Sequence, residues 1–232
     1  MVSDVNTRDP DLERERLLVV IATIIINVVA VSFLTLAPWS DWRTGTALNV
    51  IDNSLLIGFV ILKRDALLGR FLLFGIIVGF TELAADAWLV DYTRTLDYSV
   101  GGGPMICRSP VWMPLAWEVV AVQFGYIGLR LWERFGKIGL LMIGLLGAIN
   151  IPFYEEMARR IHWWQYTSCR MLSYTPWYII LGEFGIAIAL ALLARTLQGG
   201  SWRIAIVAGV AAGASIFVCY SVAFLITDRL IS

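Results

Sequence analysis

The chain has 232 residues, 59% of them hydrophobic, with 18 basic and 18 acidic side chains and no formal net charge. A soluble domain is about 45–50% apolar, so this composition, with a mean hydropathy of +0.75, excludes an ordinary soluble protein. The absence of a basic tract excludes a nucleic-acid partner.

In chain order, the first 16 residues (MVSDVNTRDPDLERER) mix both charges ahead of a full-length apolar run. They read as a cytoplasmic segment, not as a cleavable signal peptide. Val2 and the terminal DRLIS give no sign of a lipid anchor. A span needs about 20 mostly apolar residues. Candidates run over 17–37, 46–62, 68–90, 111–132, 137–154, 176–196 and 203–226. The expected fold class is therefore all-α, a polytopic seven-helix membrane bundle, with one integral membrane domain over 1–232. Eleven Lys and Arg fall on the amino-terminal side of these spans and seven on the other. That bias predicts the cytoplasmic (inner) membrane with the amino terminus in the cytoplasm. The long connections 91–110 and 155–175 then face outward.

Intramembrane acids are costly and usually functional. Glu118 lies in the apolar stretch MPLAWEVVAVQFG, about 12 Å from the outer edge by the helix rise, and Glu183 lies at similar depth. Glu82 and Asp86, four apart on one helix face, end the third span. Asn49, Asp52 and Asn53 begin the second, and Glu155 and Glu156 close the fifth. Glu155 also reads as an i,i+4 ion-pair partner of Arg159. Five helices thus bring acids to one half of the membrane, while the inner half reads as almost free of polar groups.

The tryptophans show the same skew, with eight in the outer half against two in the inner. A plain interfacial belt would load both sides, so Trp88, Trp112, Trp117 and Trp177, with Tyr98 and Gln123, are candidates to line a pocket. CRSPVWMPLAWE (107–118) is echoed by CRMLSYTPWYIILGE (169–183), a faint internal repeat. It places Cys107 and Cys169 at matching points of the outward loops, where a disulfide is expected. Cys219 reads as packing.

Carboxylic acids can donate protons in an apolar cavity, and tryptophan faces stabilise a passing cation. The expected function is acid-initiated hydration or cyclisation of an isoprenoid. Glu118 is the preferred proton donor, with Glu82, Asp86 and Glu183 supporting water, proton acceptance or the cation. The expected partners are a hydrophobic isoprenoid or lipid substrate and membrane lipids. No metal and no cofactor is called for, and the oligomeric state is left open.

The run GFTELAADAWLVDYTRTLDY, then SPVWMPLAWE, then NIPFYEEMARRIHWWQYTSCRMLSYTPWYIILGEF resembles the integral-membrane carotenoid hydratases of the bisanhydrobacterioruberin hydratase type and the related lycopene cyclase domain. The Ala-Trp-Glu element is similar to that of the fungal seven-span meroterpenoid cyclases. The resemblance covers roughly residues 75–185 and implies a proton donor at Glu118. DYTRTLDY and IILGEF depart from the Phe-Gly-x-Tyr and Asn-x-x-Gly-Trp patterns of those families.

A proton-coupled transporter or a lipid-binding protein without catalysis is the main alternative. EEMARR (155–160) matches a motif of CAAX-type intramembrane proteases, but those enzymes need further histidines and His162 is the chain's only one. A retinal Schiff base needs an intramembrane lysine, and Lys63 and Lys137 sit at helix ends. Prenyl transfer needs paired Asp-rich magnesium motifs, which DAWLVD does not provide.

Overall fold

The computed structural model describes residues 9–230. Arg8, with the first eight residues of the expected cytoplasmic segment, lies outside the described residues, as do residues 231–232 and the side chain of Arg229. Seven long helices make an all-α bundle, α1 Pro10–Leu34, α2 Trp42–Lys63, α3 Ala66–Ala87, α4 Met113–Phe135, α5 Lys137–Ile161, α6 Trp177–Ala194 and α7 Trp202–Phe224. Aspartates start the first three. The Asp9, Asp41 and Asp65 side chains accept backbone amides at the free amino ends of α1, α2 and α3. Arg64, at φ 51°, turns the chain from α2 into α3 within two residues.

Six of the seven helices are long and apolar enough to cross a membrane; α4 falls short. The reason is its position. α4 packs against α1, α2, α3, α5 and α6, so it has little need of a lipid-facing surface and carries Glu118, Gln123 and Arg130 among its apolar residues.

Glycines set the closest helix approach. A Cβ on Gly79 would lie 2.1 Å from the Pro114 carbonyl oxygen, and one on Gly75 2.7 Å from that of Glu118. These two glycines, one turn apart on α3, let α3 and α4 meet backbone to backbone.

At the loop end, α3 runs into a π-helical turn (Trp88–Thr93) and stops at Arg94 in the left-handed conformation; α5 stops likewise at His162. The two following segments pair with each other. β1 (Leu96–Asp97) lies antiparallel to β4 (Gln165–Tyr166). Each loop then forms a small hairpin before its next helix, β2 (Met105–Ile106) with β3 (Ser109–Pro110), and β5 (Met171–Leu172) with β6 (Thr175–Pro176).

The repeat is therefore real in shape but differs from the sequence echo in register. Met105↔Pro110 corresponds to Met171↔Pro176, which matches Cys107 with Ser173, both at positive φ (52° and 59°). Cys169 lies outside that turn. Cys107 and Cys169 are both free thiols, a correction to the expected disulfide. Cys107 is exposed at its hairpin tip. Cys169 is half-buried near Asp228, and burial, with that carboxylate nearby, pushes its thiol up to about 12.

The amino-terminal end is not dry, contrary to expectation. Arg16 is fully buried and pairs with Asp65 (2.6 Å) and Glu13 (2.5 Å). The Tyr126 hydroxyl donates to Glu13, and Arg130 also reaches Glu13 (2.6 Å). The expectation failed because α1 begins at Pro10, which draws Arg16 into the bundle. Asp65→Asn keeps a side-chain oxygen to cap α3 but removes the counter-charge of Arg16. It is expected to cost about 2–3 kcal/mol, the low side for a broken buried pair because Glu13 remains. A lowered thermal midpoint in detergent checks this; an unchanged midpoint would mean that Glu13 alone compensates Arg16.

Candidate active site

The paired loops cover one end of a cavity of ≈ 160 Å³, set in a cleft with ≈ 1080 Å³ of free space. Three helices each bring one buried carboxyl to its wall, Asp86 from α3, Glu155 from α5 and Glu183 from α6. Neutral donors hold each in place. Asp86 Oδ2 accepts the Tyr98 and Ser109 hydroxyls, both at 2.7 Å. Glu155 accepts the Trp164 indole N–H (2.6 Å) and the Tyr166 hydroxyl (3.1 Å) on its two oxygens. Glu183 Oε1 accepts the Tyr220 hydroxyl (2.5 Å).

The π-turn after α3 adds a residue to that helix end. Asp86 thus precedes its left-handed stop, Arg94, by eight positions, whereas Glu155 precedes His162 by seven. The two acids occupy comparable places in the repeat and face the same space.

Burial, reinforced by Asp86 and Glu82, pushes the Tyr98 phenol well above its ordinary value. Burial and Glu155 do the same for Tyr166. Both loop tyrosines therefore stay protonated and serve as donors to the acids beneath them.

Asn27, Asn49, Gln123 and Asn150 form a second, amide-rich part of the wall, and the remainder is mainly apolar and aromatic. Gln123 donates to Thr23 (3.0 Å), and Asn27 donates to Asp52 (2.6 Å). Among the described residues, no Lys, Arg or His lines the cavity.

The residues singled out from the sequence divide clearly. Asp86, Glu183, Asn49, Tyr98, Trp112, Trp117 and Gln123 line the cavity. Glu82 is fully buried beside it, within electrostatic range of Asp86 and Glu183, and neither of its oxygens has a hydrogen-bond partner. Asp52 is enclosed behind Asn27. Asn53 instead joins α2 to α4 by donating to the carbonyls of Asn49 and Leu115.

Glu118 is off the cavity. At about 100° per residue it projects across the α4 axis from Ala116, Val120 and Gln123, which line the site. It is buried against α3, where its Cγ would lie 3.0 Å from a Cβ on Gly75. Its depth was legible, but its helix face depended on packing. Trp88 stacks with Tyr92 and meets Phe217 and Phe224 edge-on, in the α3–α7 seam. Trp177 is 44% exposed on the outer surface. These two are corrections to the expected lining.

Glu155 is the acid assigned elsewhere by the sequence. Arg159 and Arg160 pair with Glu156, not with Glu155, which leaves Glu155 free to turn inward. Trp163 and Trp164 were counted only in the outer-half skew, yet both line the cavity. The adjacent EE and WW pairs were the available signal. Tyr220, near the end of α7, had none.

A family model described as a domain of unknown function (DUF6989) matches residues 83–227, more than half of the chain. No curated protein and no solved structure matches.

Proposed function

This chain belongs to the DUF6989 family, and we propose that it is an integral-membrane enzyme for acid-initiated hydration or cyclisation of an isoprenoid. The observation that carries this reading is the convergence of Asp86, Glu155 and Glu183 on one aromatic-walled cavity that, among the described residues, has no basic side chain in its lining. Such a cavity suits a neutral, apolar substrate and a cationic intermediate.

Glu183 is the preferred donor because it accepts a single hydrogen bond, from Tyr220, whereas Asp86 and Glu155 each accept two. Its proton passes to the less substituted carbon of a double bond, and the π electrons form the new C–H bond. The adjacent carbon becomes a tertiary cation, facing Trp112, Trp117 or Trp164. Water then adds its oxygen there and loses a proton to a carboxylate, giving an alcohol. Alternatively, a second double bond of the same chain closes a ring, and a neighbouring C–H proton goes to the carboxylate. Either route restores the acid.

The charge bias of eleven against seven Lys and Arg supports a cytoplasmic amino terminus, with the loop-covered cavity toward the outer face.

One observation favours transport as a second reading. Along the α1–α4 seam, Glu13, Arg16 and Tyr126 at the amino-terminal end are followed by Thr23 and Gln123, and then, between α1 and α2, by Asn27 and Asp52. This polar series leads from the amino-terminal end toward the cavity, as a proton path would.

Purified protein incubated with an acyclic polyene in H₂¹⁸O is expected to give either a labelled alcohol or an unlabelled cyclic isomer. No conversion, together with proton-coupled uptake of the same compound into liposomes, would favour the transporter.

A further inference from the structure

We infer that the cavity is also a binding site for lipophilic ammonium cations, with the charged head held between its aromatic wall and its buried acids. The inference uses the cavity assigned above as an active site, but it requires no turnover.

Three indoles and a phenol form one wall of the cavity. They pack on one another, with ring centroids 5.2 Å apart for Trp112–Trp163, 6.2 Å for both Trp112–Trp164 and Trp163–Trp164, and 6.0 Å for Tyr98–Trp164. A desolvated aromatic face attracts an ammonium by about 2 kcal/mol.

The carboxyls strengthen this attraction. The Trp164 N–H is donated to Glu155 (2.6 Å) and the Tyr98 O–H to Asp86 (2.7 Å). Each bond pushes electron density back into its ring, and both residues line the cavity. Asp86 and Glu183 each engage protein donors through a single oxygen, which leaves one oxygen on each to meet a guest's positive charge.

Charge selects the guest. Asp86, Glu155 and Glu183 line the cavity, Glu82 is buried beside them, and among the described residues no basic side chain lines the wall. Ionising any of these acids in an apolar surrounding without a counter-charge is strongly unfavourable. An entering organic cation supplies that charge, an anion would be repelled, and a neutral guest gains nothing from it. The mainly apolar and aromatic wall around these acids suits a bulky organic cation. Leu48, Val120, Phe124 and Ile151 provide apolar wall for its tail.

The test is a tryptophan-fluorescence titration of the full chain in neutral maltoside detergent. The probes are benzyltrimethylammonium and its uncharged isostere neopentylbenzene. The cation is expected to bind at least about tenfold more tightly. Glu183→Gln, and separately Trp164→Phe, which keeps a ring but removes the donor to Glu155, are each expected to reduce that preference severalfold. Circular dichroism checks that each variant is folded, and Asp86→Asn replaces one that is not. Equal binding of the two probes, or no binding of either, would overturn the inference. So would a cation preference that folded variants leave intact, because the cation would then sit elsewhere. Polyene turnover without cation preference would remove this inference and leave the proposed enzyme standing.

Discussion

Glu183→Gln is expected to lower polyene conversion by at least about a hundredfold, the usual scale for losing a general acid, while the helical fold survives. Glutamine keeps the volume and the oxygen that accepts the Tyr220 hydroxyl, so the α6–α7 contact persists. It has no acidic proton to give to a double bond. Glu118→Gln is the informative partner. The sequence favoured Glu118 as donor. It lies instead across α4 from the cavity, against Gly75, and the substitution is expected to leave the rate within about threefold of the parent. Product formation by both variants, measured with equal folded protein, decides between them. A loss at Glu118 as large as that at Glu183 would return the donor to α4.

Gly79→Ala is expected to destabilise the bundle by about 3 kcal/mol, at the upper end for overpacking because the obstacle is backbone. The added methyl carbon would sit 2.1 Å from the Pro114 carbonyl oxygen and 2.8 Å from its Cα. No side-chain rotation relieves that, so α3 and α4 must separate. Gly58→Ala provides the control. Nothing lies within 4 Å of its new Cβ, and alanine is the better helix former by about 0.5–1 kcal/mol. The two variants should therefore move the thermal midpoint in detergent in opposite directions. Equal shifts would mean that α3 and α4 are not held at this distance. Separation of these helices would also displace Asp86, so Gly79→Ala should reduce activity as well.

Much of the site was visible as chemistry before it was visible as geometry. Asp86, Glu183, Asn49, Tyr98, Trp112, Trp117 and Gln123 were named from their cost in a membrane or their outer-half position, and all line the cavity. Glu155 was noticed but assigned to Arg159. Helical spacing permits that pair, and only the side-chain placement reveals that Glu156 takes both arginines. Trp88 and Trp177 have the same composition signal as Trp112. One nevertheless fills a helix seam and the other faces outward.

The sequence by itself determined that this is a helical membrane protein, roughly where its seven helices lie, and that acids and indoles collect toward one end. Those properties are local. They follow from the hydropathy of about 20 consecutive residues. Only the tertiary structure decided which acids share a space. A helix side chain turns by about 100° per residue, so two carboxyls at equal depth can point toward each other or directly apart. The rotation of each helix is set by its neighbours, here by the glycine contacts of α3 with α4 and by the pairing of β1 with β4. That rotation directs Glu183, Glu155 and Asp86 inward and turns Glu118 away.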